Sequence, residues 1–395
     1  MVRQLLIIFL LTVLSISYGQ SAERDSVLKS DQVILIEDMQ LQIEIAEAMN
    51  NLYNFNFDEA EKRFRWLKQK YGWHPLPYFL LGLSEWWKIM PNMHNTAYDE
   101  KFLAYMDTVV MISERLHEIP RHEVEGAFFL AAAYGFKGRL YSSEERKNWG
   151  KAAFAGKNAL KYMQESEGLH YLSPELLFGD ALYNYFSVWV PENYPLLKPV
   201  LAFFPKGDKE LGIEQLKEVS YNAFYTRTEA QVFLMRIWNS YENERRKALQ
   251  LSEYLHQTYP GNPYFHRYYA RLLYGTGQYT KVEPIAKNIL AKVDSGATGY
   301  EENSGRYAAF FLGQVYEAKR DYENAKYYYK RVVDFAQTID ATESGYYLYS
   351  LIALGDIAKK EGNEKEAKKY YKLVKKEGKR KHSAHKRARE KLKDL

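Results

Sequence analysis

Two histidines in the first third of the chain are the first residues whose spacing invites a metal-site interpretation. His117 and His122 lie five positions apart, each followed by a glutamate, Glu118 and Glu123. A helical zinc protease places two histidines four positions apart with a glutamate between them, so that both imidazoles reach one ion. Here the spacing differs, and Pro120 interrupts any helix that would carry both histidines. We therefore expect two histidines at a helix interface and no metal site.

The remaining polar groupings are poorly suited to catalysis. His382 and His385 belong to a basic segment without acidic ligands, and adjacent carboxylates such as Glu301-Glu302 point in different directions on a helix. Hydrolysis of sugars needs two carboxyl groups held about 5–10 Å apart across a cleft. Gly275-Thr276-Gly277 lacks the spacing of a dinucleotide-binding loop, and the chain has neither a Gly-x-Ser-x-Gly motif nor a cysteine nucleophile. We expect no catalytic residue, no metal and no cofactor.

The first twenty residues form a segment of their own. Arg3 precedes an apolar run, Leu5–Leu14, and Ser17-Tyr18-Gly19 has the small-x-small pattern of a cleavage site. The run is shorter than the about 20 residues that span a bilayer. Residues 1–19 are therefore predicted to be a cleaved secretory signal peptide, with an uncleaved N-terminal anchor as the alternative.

The absence of cysteine limits how an exported form of this chain is stabilised and anchored. With 0 cysteines it has no disulfides, and it cannot carry the lipid that a lipoprotein attaches to an N-terminal cysteine. We expect a periplasmic protein, or alternatively a secreted or outer-membrane-associated one.

Charge is distributed unevenly along the chain. Residues 359–395 contain 16 lysines and arginines against 6 aspartates and glutamates, a net charge of +10. The whole chain carries +5, so residues 1–358 carry −5. A mildly acidic body is thus predicted to end in a strongly basic helix.

One residue pattern recurs in the last third of the chain and defines its elements. The pattern occurs three times, and the first copy ends with Gly277-Gln278-Tyr279, Ala286 and Ile289. The next two copies have a Leu-Gly pair followed by an alanine and a large aromatic, and begin 42 positions apart, at Leu312 and Leu354. Small residues at fixed offsets let two helices of one hairpin cross closely, and periods of this size indicate stacked helical hairpins. The residues that define the pattern are Gly313, Tyr316, Tyr322, Ala325 and Tyr329 in one copy, and Gly355, Ala358, Ala367, Tyr371 and Val374 in the next.

These residues resemble the tetratricopeptide repeat, in which a small residue, an aromatic, an alanine and a large residue fall at fixed positions. The resemblance implies an all-α fold, namely a right-handed α-solenoid of about eight helical hairpins closed by a C-terminal capping helix. It also implies binding of other proteins and no catalysis. The Gly-Gln ending of the leader resembles that of exported proteins of Bacteroidota.

The pattern divides the chain into five segments. After the signal peptide, residues 31–168 are predicted to form N-terminal hairpins, 169–226 an irregular central unit, 227–380 the C-terminal repeats and 381–395 the basic capping helix. The central unit contains a proline-rich apolar insertion, Pro191–Pro205. The stretch Phe203–Leu216 resembles part of a eukaryotic tetratricopeptide family linked to the clearance of inclusion bodies and lipid droplets. Asp208 is predicted to cap the helix that follows, and Gly212 to allow close packing.

Most of the abundant aromatic residues are expected to pack between helices, and a minority to bind a partner. In a tetratricopeptide array the binding groove is lined by the first helix of each hairpin, which makes Tyr268, Arg271, Gln314 and Glu317 candidates for partner contact. In the insertion, Phe203 and Phe204 are too apolar to face water without a cause. They either fill the inner face of the array or dock a partner or a membrane.

The sequence therefore favours a non-enzymatic exported scaffold that binds a protein partner as part of an envelope or secretion assembly. The alternative is a glycan or small-molecule binder with an aromatic pocket in the central unit. A hydrolase would need a convergent polar cluster that no pattern predicts. The basic C-terminal helix is either a solvated cap or a contact for an anionic membrane, lipopolysaccharide or an acidic protein, and nucleic acid is not an expected partner behind a secretory signal.

Overall fold

The computed structural model describes residues 34–166, 168–169, 172–195, 198 and 205–395. Within these ranges the chain forms seventeen helices and no strand. The predicted all-α class is confirmed. None of the helices in the described ranges has both the length and the apolar character needed to cross a bilayer.

In chain order the helices make eight pairs followed by one short helix, as the repeat pattern predicts. The first nine are α1 (Met39–Tyr53), α2 (Phe57–Lys70), α3 (Leu76–Ile89), α4 (Asp99–His117), α5 (Glu123–Tyr141), α6 (Trp149–Glu165), α7 (Leu177–Asn193), α8 (Lys209–Asn222) and α9 (Arg227–Ser240). The last eight are α10 (Arg245–Thr258), α11 (Pro263–Gly275), α12 (Tyr279–Asp294), α13 (Glu302–Ala318), α14 (Tyr322–Thr338), α15 (Gly345–Lys360), α16 (Glu364–Glu377) and α17 (Ser383–Lys391).

The chain divides into two compact units. Among the described residues, unit 1 comprises 34–49, Phe57–Glu85 and Asp99–Val232, and unit 2 comprises Asn50–Asn56, Trp86–Tyr98 and Phe233–Leu395. Consecutive helices pack against each other from α4 to α8 in unit 1 and from α10 to α17 in unit 2. This neighbour-to-neighbour packing is the arrangement of an α-solenoid.

Short polar side chains start many of these helices by accepting backbone hydrogen bonds. Asp208 Oδ1 accepts from Leu211 N at 2.9 Å, which confirms the predicted cap of α8. Asn262, Asp321 and Asn363 cap α11, α14 and α16 in the same way, each through its side-chain oxygen. Such caps satisfy amide groups that have no partner inside the helix.

Small residues set the distance between helices, as the repeat pattern predicts. A Cβ atom placed on Gly313 of α13 would lie 2.5 Å from the ring of Tyr329 on α14, and one on Gly355 of α15 would meet the ring of Tyr371 on α16 in the same way. Both tyrosine rings are fully buried. In unit 1, a Cβ on Gly212 of α8 would lie 2.7 Å from the backbone nitrogen of Tyr185 on α7, which confirms the predicted close packing.

Replacing Gly313 by alanine is expected to lower the free energy of unfolding by about 1–2 kcal/mol, because the added methyl meets a buried ring that has little room to move. Gly135, inside α5, provides a matched control, since a Cβ there meets no atom within 4 Å. Gly135→Ala should stabilise by about 0.5–1 kcal/mol through helix propensity alone. Urea unfolding followed by circular dichroism measures both, and equal effects of the two changes would contradict the packing argument.

The last helix is held by small residues and by one acidic side chain. Ala384 and Ala388 of α17 are fully buried. On α15, Asp356 Oδ1 lies 2.7 Å from Lys391 Nζ, and Asp356 Oδ2 lies 3.7 Å from Arg387 Nη2. The basic residues of α17 are thus partly used to fasten the helix to the repeat before it.

Candidate partner-binding surface

A cleft of about 920 Å³ opens in unit 2 along the first helices of three successive hairpins. Helices α11, α13 and α15 form its walls, and α14 and α17 contribute one lining residue each. The lining combines aromatic, aliphatic and charged side chains, namely Tyr274, Phe310, Gln314, Glu317, Ala318, Arg320, Tyr322, Tyr349, Ile352, Ala353, Asp356, Lys360 and Arg387. Such a mixture suits an amphipathic segment better than a purely apolar ligand.

One wall of the cleft is organised by the repeat tyrosine Tyr329. Its hydroxyl donates to Glu317 Oε2 at 2.7 Å and accepts from Gln314 Nε2. Tyr274 in turn donates to Gln314 Oε1 at 3.3 Å. Burial, followed by the carboxylate of Glu317, raises the pKa of Tyr329 far above its usual value, so this hydroxyl stays protonated. Gln314 and Glu317 are therefore oriented before any partner arrives.

The opposite wall is organised in a similar way around Asp356. Tyr371, the equivalent repeat tyrosine, donates its hydroxyl proton to Asp356 Oδ1 at 2.6 Å. Burial, followed by this hydrogen bond, raises the pKa of Tyr371. Together with Lys391 and Arg387, this contact fixes the carboxylate. The two walls are thus equivalent positions of two successive repeats.

Tyr268 and Arg271 lie on α11, outside the lining of this cleft. Tyr268 is almost fully buried, and its hydroxyl accepts from Asn239 Nδ2 at 3.1 Å. Burial raises the pKa of Tyr268 to about 12, so the phenol is neutral at pH 7. Arg271 is exposed, with its guanidinium carbon 5.8 Å from the Tyr268 ring centroid. The structure places Gln314 and Glu317 together in the lining of the cleft and Tyr268 and Arg271 outside that lining. Contact of these four residues with a partner stays a prediction.

Phe203 and Phe204 lie outside the described residues. The prediction that they fill an inner face or dock a partner therefore stays a prediction. The same holds for an aromatic pocket built by the central unit.

Two buried arginines, Arg267 of α11 and Arg306 of α13, were missed by the sequence-based argument. Their side chains are 8% and 6% exposed. One feature of the sequence could have indicated Arg267: it is a charged residue within a largely aromatic stretch. Its neighbours in that stretch are all buried, namely Phe265, His266, Tyr268 and Tyr269. Arginine is rarely buried without a partner, so such a position calls for a structural or functional cause.

The histidines considered for metal binding lie at helix interfaces of unit 1, as predicted. His117 Nε2 on α4 is 3.0 Å from Glu165 Oε2 on α6. His122 Nδ1 is 3.1 Å from Glu125 Oε2, and His74 Nε2 is 3.1 Å from Glu125 Oε1. Ile36 N donates to the same carboxylate at 2.9 Å. Among the described residues no group of three or more histidine, aspartate or glutamate side chains is arranged to hold a metal ion.

The carboxylate of Glu125 is 3% exposed and is the centre of this polar cluster. Burial by itself would raise the pKa of Glu125. His74, His122 and the Ile36 amide outweigh burial and lower this pKa to about 2. Leu76 N donates to His74 Nδ1 at 3.1 Å, which leaves His74 Nε2 at 3.1 Å from Glu125 Oε1. The cluster ties together three segments that are distant in the sequence, and its role is structural.

Comparison with known proteins identifies part of the chain. Residues 307–338 and 348–376, which lie within the helix pairs α13–α14 and α15–α16, match the sequence model of the tetratricopeptide repeat. The chain therefore contains tetratricopeptide repeats, as the spacing of Gly313, Ala325, Gly355 and Ala367 predicted. The bacterial exported type and the likeness of Phe203–Leu216 to a eukaryotic family stay predictions.

Among solved structures, a crystal structure of the tetratricopeptide-repeat domain of P58(IPK) is similar to this chain at 11% sequence identity. The alignment covers 89% of this chain and 98% of that one, with a TM-score of 0.24. No curated protein matches the sequence.

Proposed function

We propose that this protein is a non-enzymatic scaffold that binds a protein partner along the first helices of its C-terminal repeats. The observation that supports this most strongly is the cleft of about 920 Å³ whose walls are equivalent positions of successive tetratricopeptide repeats. Helical repeats of this kind generally recognise extended or helical segments of other proteins through rigid aromatic and polar side chains.

The hydrogen bonds around the cleft support the same proposal. Tyr329 and Tyr371 hold Gln314, Glu317 and Asp356 in fixed positions. Side chains that are ordered before binding lose less conformational entropy when a partner docks. A preformed and chemically mixed surface is what a specific protein segment requires.

As part of the same proposal, this scaffold lies in the periplasm. Residues 1–19 resemble a secretory leader, and the absence of cysteine is compatible with an exported protein that has no disulfides. The basic residues of α17 that do not pair with Asp356 would then face the envelope environment. Contact of this helix with an anionic membrane or with lipopolysaccharide is part of the same proposal, since Lys386 and Arg389 are exposed on it.

Cross-linking and mass spectrometry in the source cell test the proposal directly. We expect cross-links from α13 or α15 to one recurrent protein, retained at near-physiological salt. Recovery of this chain alone in repeated experiments would contradict the scaffold role.

A bulky residue at the rim of the cleft is expected to weaken binding of the partner identified in that way. Ala318 is exposed at the end of α13 and lines the cleft, so Ala318→Trp fills the opening without entering the core. We expect at least a roughly tenfold loss of affinity, the size of effect that a blocked central contact causes. Ala291→Trp, on an exposed position of α12 away from the cleft, is the matched control and should bind normally. Equal binding by both variants would place the partner elsewhere.

A further inference from the structure

The outer side of α6, in unit 1, exposes two large aromatic side chains. Trp149 and Phe154 are each 65% exposed. All seven tryptophans of the chain lie in the described ranges, and Trp149 is the one among them that is exposed. Single apolar side chains on a surface are common, but two aromatic rings on one helix leave an apolar area in water that calls for a cause.

Helix geometry brings these two rings to the same side of α6 as two lysines. Successive residues of an α-helix lie about 100° apart around its axis. Counted from Trp149, Lys157 then lies at about 80° and Phe154 at about 140°, with Lys161 between those two. The two buried residues of the helix, both alanines, lie at about 240° and 280°, on the opposite side. Helix α6 therefore has a buried side of small residues and an exposed side that is aromatic and basic.

The segment that carries the two rings is strongly basic. Between Glu145 and Glu165 the chain has four lysines and one arginine, and it has no aspartate or glutamate. The arginine, Arg146, is used within the fold, since its Nε donates to Asp99 Oδ2 at 2.8 Å. The lysines are Lys147, Lys151, Lys157 and Lys161, and all four are exposed.

Other residues of the protein neutralise these lysines only in part. Lys161 Nζ lies 3.8 Å from Glu165 Oε1, an exposed pair of a kind that contributes little. Lys151 Nζ lies 5.5 Å from the ring centroid of Tyr141, which carries no charge to offset it. Lys157 pairs with no carboxylate in the described part of the chain. The exposed side of α6 thus keeps positive charge beside its aromatic rings.

The ring of Phe154 is held in place at the surface. Its centroid lies 6.3 Å from that of Tyr134 on α5, in an edge-to-face contact. Tyr134 is in turn stacked on Tyr162 of α6, with the centroids 6.2 Å apart. Phe154 is therefore positioned outward by the α5–α6 pair, although about two-thirds of its surface stays in water.

We infer that this side of α6 is a docking surface for a lipid bilayer that contains anionic phospholipids. Helices that lie in the plane of a membrane surface insert tryptophan and phenylalanine at the boundary between headgroups and acyl chains. Lysines beside those rings attract the phosphates of anionic headgroups. The surface belongs to unit 1 and does not involve the cleft of unit 2, so this inference goes beyond the proposed function.

The chemistry of the surface favours lipid over a protein partner. Its unneutralised basic residues are lysines, which act as flexible point charges in a diffuse field, whereas arginine provides the fixed geometry that binds a single carboxylate. Aromatic anchors of a protein interface usually lie in well-packed pockets, whereas Trp149 and Phe154 protrude. A fluid lipid surface adapts to protruding rings without a preformed pocket.

Vesicle co-sedimentation tests the inference on the chain without residues 1–19, because the apolar run Leu5–Leu14 would bind lipid by itself. Vesicles of equal parts phosphatidylcholine and phosphatidylglycerol are compared with vesicles of phosphatidylcholine alone. We expect at least roughly tenfold tighter binding to the anionic vesicles, and a smaller preference at high salt, because several lysines contribute to an attraction that salt screens. Equal binding to both kinds of vesicle, or binding to neither, would overturn the inference.

Substitutions on α6 locate the contact. Trp149→Ala and Phe154→Ala should each weaken binding to anionic vesicles roughly fivefold or more, because each removes a ring that lipid buries. Lys157→Gln should weaken it about fivefold, the contribution of one basic residue near an anionic surface. Tyr221→Ala, at an aromatic residue of α8 that is 79% exposed, is the matched control and should bind as the wild type does. If the control loses as much affinity as the α6 variants, the effect is not specific to α6 and the inference is wrong.

A further variant separates this surface from the basic C-terminal helix. Lys386→Gln, on the exposed face of α17, should leave vesicle binding nearly unchanged. If Lys386→Gln weakens binding while the α6 variants bind as the wild type does, the membrane contact lies on α17. The inference would then fail, and the proposed function would stand.

Fluorescence quenching identifies the ring that enters the lipid. Phosphatidylcholine with brominated acyl chains, mixed into anionic vesicles, should quench the emission of the wild type and should quench Trp149→Phe much less. That variant keeps an aromatic ring and should still bind. Equal quenching of the two proteins would show that another tryptophan enters the bilayer, and would overturn the inference.

Measurements without lipid exclude the two simpler explanations. Trp149→Ala and Phe154→Ala should keep the Tm of the wild type, because substitutions at exposed positions rarely change stability. Sedimentation equilibrium should give the same mass for the wild type and Trp149→Ala. A lowered Tm would make the rings structural, and a dimer formed by the wild type alone would make α6 a contact between two copies of the chain; either result would contradict the inference.

Discussion

Replacement of Glu125 by glutamine is expected to destabilise unit 1 by about 3 kcal/mol at pH 7. The folded-state pKa of this carboxyl is about 2 against an ordinary value of 4.5, and each unit of difference corresponds to about 1.4 kcal/mol. Glutamine offers a single acceptor oxygen, so its amide group would face a hydrogen-bond donor of His74 or His122. Hydrogen exchange read by mass spectrometry should show loss of protection in α5 and in residues 34–38.

The stabilising contribution of Glu125 is expected to decrease as the pH falls. Because the folded-state pKa of Glu125 is lowered, its contribution is complete above about pH 4.5 and is lost as the pH falls toward 2. The difference in unfolding free energy between the wild type and Glu125→Gln should therefore shrink from pH 5 to pH 3. Glu123→Gln, on an exposed position of the same helix, is the control and should change stability by less than about 0.5 kcal/mol. A difference that is constant with pH would contradict the assignment.

Replacement of Glu175 by glutamine is expected to cost about 2–4 kcal/mol, because one buried carboxylate satisfies the start of α9. Glu175 Oε1 accepts from Phe224 N at 2.5 Å and from Tyr225 N at 3.0 Å. Its Oε2 accepts from Thr226 N at 2.8 Å and from Thr226 Oγ1 at 2.6 Å. Glutamine keeps one of these oxygens and puts an N–H group against two donors in place of the other.

The measurement is amide exchange at residues 224–232 together with the urea midpoint of the full chain. Glu214→Gln is a matched control, because Glu214 is exposed and pairs with Lys217 three positions on. Exposed pairs of this kind contribute little, so this variant should lie within about 0.5 kcal/mol of the wild type. If both glutamates give the same small effect, the capping role of Glu175 is wrong.

The consequence of these two carboxylates is that unit 1 depends on polar contacts that join distant segments. Glu125 reaches Ile36, which is 89 positions away in the sequence, and Glu175 reaches residues about 50 positions away. Unit 2 has contacts of both kinds: Tyr371 reaches Asp356 within one hairpin, whereas Asn262 reaches Tyr53, which is 209 positions away. Local destabilisation is therefore expected to reach segments that are distant in the sequence in both units.

The sequence by itself determined that the fold is all-helical and that its helices form pairs. It also determined which residues lie where the paired helices of unit 2 cross. Gly313 and Gly355 recur with their aromatic partners at a fixed spacing, and packing between the helices of one hairpin depends on residues within about 34 positions of each other. Such short-range patterns can be read without a structure. The cap at Asp208 was predictable for the same reason, since its partner Leu211 is three positions away.

Only the tertiary structure decided which polar residues meet. Nothing in the spacing of His74, His122 and Glu125 indicates a shared carboxylate, and nothing in the positions of Arg267 and Arg306 indicates a shared aromatic neighbour. Apolar periodicity specifies which face of a helix is buried. It does not specify which polar group pairs with a buried charge, because that group belongs to a segment that comes close only after the helices stack.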